Sequence, residues 1–221
     1  MLKTRVLFPG VELSTLNEWQ AQYLMYDVAY YIRIGCMGDA AGKLSLLHQH
    51  LEALLVGSTL SPKLERIYLS AYLISGVVYK LSDSAKSRKF LEEGLKAVEG
   101  KLNDPMKGAV NVKLVDWLQE LKVSLLMHSS QVCLLQCDFT QAAIYLQECS
   151  NICIHLAALW KILEFQIMLN WALLFQGISR LKVSKTILEK LALCTDDHIK
   201  WIAHTNLIML SSLSPVILLL I

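Results

Sequence analysis

Apolar residues recur along almost the whole chain at the spacing of an α-helix, and this periodicity constrains the fold most. Leu64, Ile67 and Ala71 begin one such stripe at positions i, i+3 and i+7. Further stripes comprise Leu44, Leu47, Leu51 and Leu54, and then Phe139, Ala142, Ala143, Leu146, Ser150 and Cys153. A period near 3.6 residues places such side chains on one helix face. No stretch sustains the two-residue alternation of a half-buried strand, so the sequence predicts an all-α fold.

Short breaks with helix start signals divide the stripes into nine predicted helices. Thr15 and Glu18 match a capping box, and Ser61 precedes Pro62 at a first helical position. The other predicted helix starts are Asp39, Asp83, Asp138 and Asp196-Asp197. The longest predicted loop is Gly100 to Gly108. The predicted helices are Thr15–Cys36, Asp39–Val56, Pro62–Leu81, Asp83–Glu99, Ala109–Gln136, Asp138–Ala157, Ala158–Gln176, Ser179–Leu193 and Asp197–Leu213.

The breaks within helix pairs are so short that each pair is predicted to form an antiparallel hairpin. Ser75-Gly76-Val77-Val78-Tyr79 resembles the first-helix signature of a tetratricopeptide repeat, and Cys137-Asp138-Phe139 resembles its turn, with Cys where Gly is usual. The sequence therefore predicts tandem antiparallel hairpins in a tetratricopeptide-like α-solenoid. We expect an N-terminal extension over 1–13, a single helical-repeat domain over 14–213 and a hydrophobic tail over 214–221.

The chain is apolar and weakly charged. Hydrophobic residues make up 54% and charged residues 18%, which excludes an intrinsically disordered chain. The formal net charge is only +2, so no strong field for nucleic acid is expected. Clusters of lysine and arginine over 80–113 and 180–185 are interpreted as solvated outer helices, and direct nucleic-acid binding is not expected.

A stretch of 38 residues, 123–160, contains no Lys or Arg and only two acids. Two interpretations remain open: a hairpin buried in the middle of the fold, or a surface that another chain covers. Tyr145 and Ile152 fall off the apolar stripe that begins at Phe139, as do Leu134, Ile154 and Leu159. Tyr145 and Ile152 are therefore predicted to bind a partner, and the chain alone is predicted to self-associate or to need that partner for solubility.

Aromatic residues concentrate in the first predicted helix, and they are assigned to more than one of its faces. They are Trp19, Tyr23, Tyr26, Tyr30 and Tyr31. Core packing is the favoured interpretation for the group. Tyr and Trp also serve as anchors in interfaces, so Tyr26 and Tyr30 are named as candidate partner-binding residues.

No motif in the sequence predicts catalysis. Adjacent carboxylates such as Glu92 and Glu93 diverge on a helix and do not form an acid/base pair. The six histidines form no metal-ligand motif. The two cysteine pairs at i, i+4 are predicted to be offset by roughly 9 Å across their hairpin, too far for one zinc ion. No enzyme activity, cofactor or metal is expected, and the six cysteines are expected to be reduced.

The sequence contains no convincing signal peptide or membrane-spanning segment. The apolar run after Met1 is too short for a signal peptide. The uncharged tail from Leu207 to Ile221 has 15 residues, fewer than the roughly 20 that a spanning helix needs. A tail-anchored membrane protein is kept as an alternative.

Several segments together resemble the cohesin-loading factor family, whose members supply the tetratricopeptide-like subunit of the sister-chromatid cohesin loader. They are Phe8-Pro9, Glu18-Trp19, Met37-Gly38-Asp39-Ala40-Ala41, Ser61-Pro62, Leu125-Leu126-Met127-His128 through Cys133-Leu134, Asp138 to Ala143, and Leu146 to Cys153. The resemblance covers Phe8 to Leu193 and rests on spacing and helical texture. Family members are longer, so this chain is expected to be a fragment or a truncated isoform.

The resemblance implies a non-enzymatic nuclear scaffold that binds the large HEAT-repeat subunit of the loader, and through it cohesin and chromatin. ATP hydrolysis would then belong to cohesin. The alternative is a tetratricopeptide-like subunit of another assembly, of the proteasome-lid or ubiquitin-ligase type.

Overall fold

The computed structural model describes residues 13–55, 61–103 and 112–217, with side chains for these ranges except 13–14, 157–162 and 212–217. Nine α-helices and their connecting turns make up the described residues, which include no strand. The helices are α1 Leu13–Arg33, α2 Met37–Leu55, α3 Pro62–Tyr79, α4 Ser84–Leu102, α5 Val112–Leu135, α6 Phe139–His155, α7 Ala157–Gly177, α8 Leu181–Leu191 and α9 Asp197–Ile217. Neighbouring helices pack as hairpins, which confirms the predicted all-α solenoid class.

The chain divides into two compact units, Met1–Val98 and Glu99–Ile221, and the division falls within α4. In the first unit, α1 packs on α2 and both contact α3. Its core contains the predicted leucine stripe of α2 together with small and aliphatic residues of α1 and α3: Ala21, Leu24, Val28, Ala40, Leu44, Leu47, Leu51, Leu64, Ala71 and Val78. These apolar stripes interlock because each helix turns one face toward its neighbours.

In the second unit, consecutive helices from α5 to α9 pack on one another, and α7 also contacts α5. One core cluster joins Cys133, Ala142, Leu146 and Leu174. Another joins α7, α8 and α9 through Ala172, Leu188, Leu191, Cys194, Ile199, Ala203 and Leu210. At the edge of this unit, the Lys122 ammonium lies 2.9 Å from the Glu99 carboxylate and 2.7 Å from that of Glu148.

Four of the predicted start signals cap helices as expected. Ser61 accepts a hydrogen bond from the Leu64 amide, and Pro62 opens α3. The three aspartates Asp83, Asp138 and Asp196 accept bonds from the amides of Lys86, Gln141 and Ile199. Each satisfies an amide that the helix itself leaves without a partner.

Two predicted starts are wrong. Helix α1 begins at Leu13, before the predicted capping box, and the Glu18 carboxylate accepts a hydrogen bond from the Ser61 hydroxyl instead of reaching back along its own helix. Helix α2 begins at Met37, because the Cys36 carbonyl already accepts from the Ala40 amide. Asp39 therefore lies in the first turn, where its negative charge favours the helix N-terminus.

Several helix ends also differ from the predicted bounds. Helix α4 runs through Gly100 to Leu102, and α9 extends to Ile217 instead of ending at Leu213. Most of the predicted loop over 100–108, and the Phe8-Pro9 segment, lie outside the described residues. None of the helices described is long and apolar enough to span a membrane.

The described part of the charge-poor stretch, residues 123–156, is largely a buried hairpin. Val123, Leu125, Leu126 and Val132 are fully or nearly fully buried in α5, and Cys149 and Cys153 are buried in α6. This supports the interior interpretation for most of the stretch. The exposed large side chains of the same hairpin are Leu135, Ile144 and Ile154, so a smaller outer surface remains apolar.

Candidate partner-binding surfaces

Four aromatic side chains of α1 form one exposed surface, which we term the aromatic face. Trp19, Tyr23, Tyr26 and Tyr30 occupy positions i, i+4, i+7 and i+11 and are all exposed. Residues at this spacing share one side of a helix. The side chain of Tyr26 is 75% exposed. The aromatic face is thus a row of exposed rings along one side of α1.

The expectation that these aromatic residues pack in the core is wrong for four of the five. The side of α1 that faces the core carries smaller residues, Ala21, Leu24 and Val28. Tyr31 alone packs against that core, with its ring 5.5 Å from the ring of Tyr30 in an edge-on contact. The sequence did hold the relevant signal, because the 19-23-26-30 spacing assigns these four rings to a single face.

Polar contacts fix α1 against its neighbours and so position the aromatic face. Asp27 accepts a 2.7 Å hydrogen bond from the Lys43 ammonium, and this bond raises the pKa of Lys43. The His50 ring donates to the Asn17 carbonyl at 3.2 Å. Together with the bond from Ser61 to Glu18 described above, these contacts tie α1 to both α2 and α3. The rings are therefore presented by an anchored helix.

Helix α6 carries the other predicted partner-binding residues, and the structure places them at the border of its exposed side. Tyr145 and Ile152 lie at i and i+7, so they share one line along the helix, and both are half-buried. Tyr145 also packs against the core cluster that includes Cys133 and Leu146. The exposed large aliphatic side chains of α6 are Ile144 and Ile154. Ile144 was not predicted from the sequence.

The contacts of His48 are those of a packed side chain and not those of a reactive site. The His48 ring nitrogen lies 2.8 Å from the Ser75 hydroxyl, which itself donates to the Ala71 carbonyl. His48 also stacks on Phe90, with ring centroids 5.3 Å apart. Because Ser75 is fully buried and its proton is committed to a carbonyl, the pair offers no accessible nucleophile.

The cysteines divide into exposed and buried groups, and none forms a disulfide. Cys36 and Cys137 are exposed at hairpin turns, whereas Cys133, Cys149, Cys153 and Cys194 are buried. Burial raises the pKa of the Cys149 thiol to about 12, which keeps it protonated. Within the described ranges no group of three or more His, Cys, Asp or Glu residues is placed to hold a metal ion.

Stacked helical hairpins with exposed apolar faces are typical of helical-repeat proteins that bind other proteins. A sequence model of the cohesin loading factor family matches residues 62–220, which is more than half of the chain. The chain therefore belongs to the cohesin loading factor family, as its resemblance predicts. A comparison with curated proteins and with solved structures found no match. The matched segment begins at the first residue of α3, so the aromatic face lies outside it.

Proposed function

We propose that this chain is a non-enzymatic scaffold subunit that binds the large HEAT-repeat subunit of the cohesin loader and supports the loading of cohesin onto chromatin in the nucleus. Membership of the cohesin loading factor family is the observation that carries this proposal. Membership of this family supports a role in the loading of cohesin. The exposed faces described above supply the surfaces that a scaffold needs.

The aromatic face is the proposed main contact, with Tyr26 and Tyr30 as its principal anchors. Tyrosine and tryptophan bury large rings at a small cost in side-chain entropy and dominate the binding energy of many interfaces. From Trp19 to Tyr30 the helix rises by about 16 Å. An extended partner segment of about five residues covers that distance. The face is therefore matched to a short extended segment of the large subunit.

The proposal includes Tyr145 and Ile152 on α6 as a second contact. Both side chains are half-buried, and Ile144, next to Tyr145 in the chain, is exposed. Covering these three side chains would remove apolar area that the chain leaves in water. Ile152→Lys tests this contact, with Gln147→Lys on the exposed side of the same helix as its control.

The test of the main contact is quantitative capture of the purified large loader subunit by the full chain. Tyr26→Ser with Tyr30→Ser should weaken binding by at least about tenfold, because interface tyrosines commonly contribute 1–2 kcal/mol or more each. Trp201→Ser is the matched control, since Trp201 is an exposed aromatic residue of α9 that the proposal does not use. Far-UV circular dichroism verifies that each variant is folded.

Each negative result of the capture experiment would contradict a different part of the proposal. Equal capture by the Tyr26/Tyr30 variant and the wild type would remove the aromatic face from the interface. No capture by the wild-type chain would contradict the proposed function itself. Recovery of proteasome-lid or ubiquitin-ligase subunits in place of the loader, by affinity purification with mass spectrometry, would favour the alternative assembly.

A further inference from the structure

A second charged surface lies at the turn between α7 and α8 and along α8; we term it the basic face. Its cations are Arg180, Lys182, Lys185 and Lys190, all exposed. Two aliphatic side chains, Ile178 and Val183, lie among them and are 42% and 43% exposed. The face therefore combines positive charge with apolar surface.

Among the residues that the structure describes, most of this charge has no ion-pair partner. Of the four cations, Lys185 forms an ion pair with a described residue, Glu189, and that pair is long at 3.9 Å and exposed on both sides. Exposed ion pairs of this kind contribute little to stability. Residues 178–190 hold four cations and one carboxylate, which leaves a local excess of three positive charges.

The two carboxylates that follow α8 in the sequence have partners in α9. Asp196 caps α9 through the Ile199 amide, and Asp197 pairs with Lys200 at 3.0 Å. The opposite side of α8 is fixed in the core by Leu188 and Leu191. The basic face is thus held in place with its charge directed to solvent, and Glu189 is the described carboxylate that forms an ion pair with it.

We propose that the basic face binds an acidic segment of a protein partner in which carboxylates alternate with aliphatic side chains. The carboxylates complement Arg180, Lys182 and Lys190, and the aliphatic residues cover Ile178 and Val183. The eleven residues of α8 rise by about 16 Å, which five or six extended residues span. This contact is separate from the aromatic face and does not depend on binding of the large loader subunit.

The composition of the face favours a protein over a nucleic acid. Residues 178–190 include no aromatic side chain on which a base could stack. Ile178 and Val183 have no counterpart on a phosphate backbone, whereas aliphatic side chains of a peptide can cover them. A carboxylate-rich peptide with aliphatic side chains satisfies both the charged and the apolar parts.

The experiment measures binding of a fluorescent peptide composed of glutamate, leucine and serine to the full chain by anisotropy. Arg180→Glu with Lys182→Glu should weaken binding by about tenfold, and raising the salt concentration should weaken binding to the wild type. Lys96→Glu with Lys113→Glu is the matched control, since these exposed cations of α4 and α5 give the same change in net charge. It should change binding by less than about twofold.

Two further comparisons separate the proposed partner from other ligands. A milder variant, Arg180→Gln with Lys182→Gln, should weaken binding less than charge reversal and guards against misfolding of the first variant. A peptide with lysine in place of glutamate should not bind. Absence of binding by the acidic peptide, or equal binding by the reversed variant, would overturn the proposal. Tighter binding of a short DNA duplex, lost on the same reversal, would assign the face to nucleic acid instead.

Discussion

Cys137 occupies a position at which backbone conformation and residue type conflict. It lies in the turn between α5 and α6 with φ = 57°, in the left-handed region. A side chain there costs roughly 1–2 kcal/mol, which glycine avoids. The sequence already indicated this position, because the repeat-like turn has Cys where Gly is usual. At the corresponding turn between α1 and α2, Gly35 adopts φ = 79° without that cost.

We expect Cys137→Gly to raise the free energy of unfolding by about 0.5–1 kcal/mol, after the larger backbone entropy of glycine in the unfolded state is subtracted. Urea denaturation followed by circular dichroism measures the change. Cys137→Ala is the control, because it removes the thiol and keeps the strained Cβ. If alanine stabilises the protein as much as glycine, the thiol and not the backbone is the cause.

Gly76 permits the close approach of α3 and α4. A Cβ at this position would overlap the buried side chain of Leu91, and the Gly76 carbonyl accepts a hydrogen bond from Ser87. Gly76→Ala should therefore lower the free energy of unfolding by about 1–3 kcal/mol. A Cβ at Gly100 in α4 would meet no neighbouring atom within 4 Å. Gly100→Ala should therefore raise the free energy of unfolding by about 0.5–1 kcal/mol.

A matched double variant separates overlap from other effects at Gly76. Adding Leu91→Ala to Gly76→Ala opens the space that the new Cβ needs, so the combined loss should be smaller than the sum of the two single losses. Additive losses in equilibrium denaturation would show that the two side chains do not compete for one space.

His48 gives the first unit a dependence on pH. Burial lowers the pKa of His48, and the nearby Glu52 and Glu93 oppose this only in part. The folded state therefore disfavours the imidazolium, so stability is full above the ordinary pKa near 6.5 and is lost as pH falls below it. We expect the free energy of unfolding to fall between about pH 7 and 5, and to level off below the folded pKa.

His48→Gln provides the control for this prediction. Its side-chain amide can still donate to the Ser75 hydroxyl but carries no titratable group. Denaturation curves at a series of pH values should show a smaller slope for this variant. An unchanged slope would place the pH dependence at another group.

At the scale of helices, most of the architecture could be predicted from local signals. The nine helices, their pairing and the caps at Asp83, Asp138 and Asp196 follow from periodicity and start residues that act within a few positions. The capping box at Thr15 failed because the Glu18 carboxylate bonds to Ser61, 43 residues away. No local pattern contains such a contact.

The outward side of α1 could be predicted only in part. The spacing of its four rings indicates one face, but nothing within the helix tells which of two apolar faces packs inward. That choice depends on Leu44, Leu47 and Leu51 of α2, which pack with Leu24 and Val28. Size and shape across the hairpin decide which face is buried, so this part of the candidate site required the structure.

The two sides of α6 should respond differently to charge. Tyr145→Lys places an ammonium against the cluster of Cys133, Ala142 and Leu146, so it should cost about 1–3 kcal/mol of stability. Ile144→Lys changes an exposed position and should stay within about 0.5 kcal/mol of the wild type. Thermal denaturation of the two variants measures the contrast. Equal losses would mean that Ile144 is covered by other parts of the chain.

At the scale of the whole molecule, the family match and the compact units do not share a boundary. The match begins at residue 62, within the first unit, and runs through the division at Val98 to residue 220. Helices α1 and α2, with the aromatic face, precede the match and still share one core with α3. The segment outside the match is therefore integral to the packing of the first unit.

Exposed apolar surface should make the isolated chain associate with itself. Besides the aromatic face, α9 exposes Trp201 and Ile208 at 68% and 69%, with Met209 beside them. With 54% hydrophobic residues and a net charge of +2, little repulsion opposes contact between copies. We expect a weight-average mass that rises with concentration in analytical ultracentrifugation. Added sulfate should strengthen the association, because apolar contacts gain from it whereas ion pairs weaken.

Trp201→Ser with Ile208→Ser should shift the mass toward that of the monomer. Thr205→Ser, at an exposed position between them on α9, is the matched control and should leave the association unchanged. If association persists in the double variant but is lost in the Tyr26→Ser and Tyr30→Ser variant, the aromatic face alone mediates it. Even weak specific contacts form at concentrations up to about 100 μM. If the chain remains monomeric over this range, the aromatic face and the exposed apolar residues of α9 are both tolerated in water without a partner.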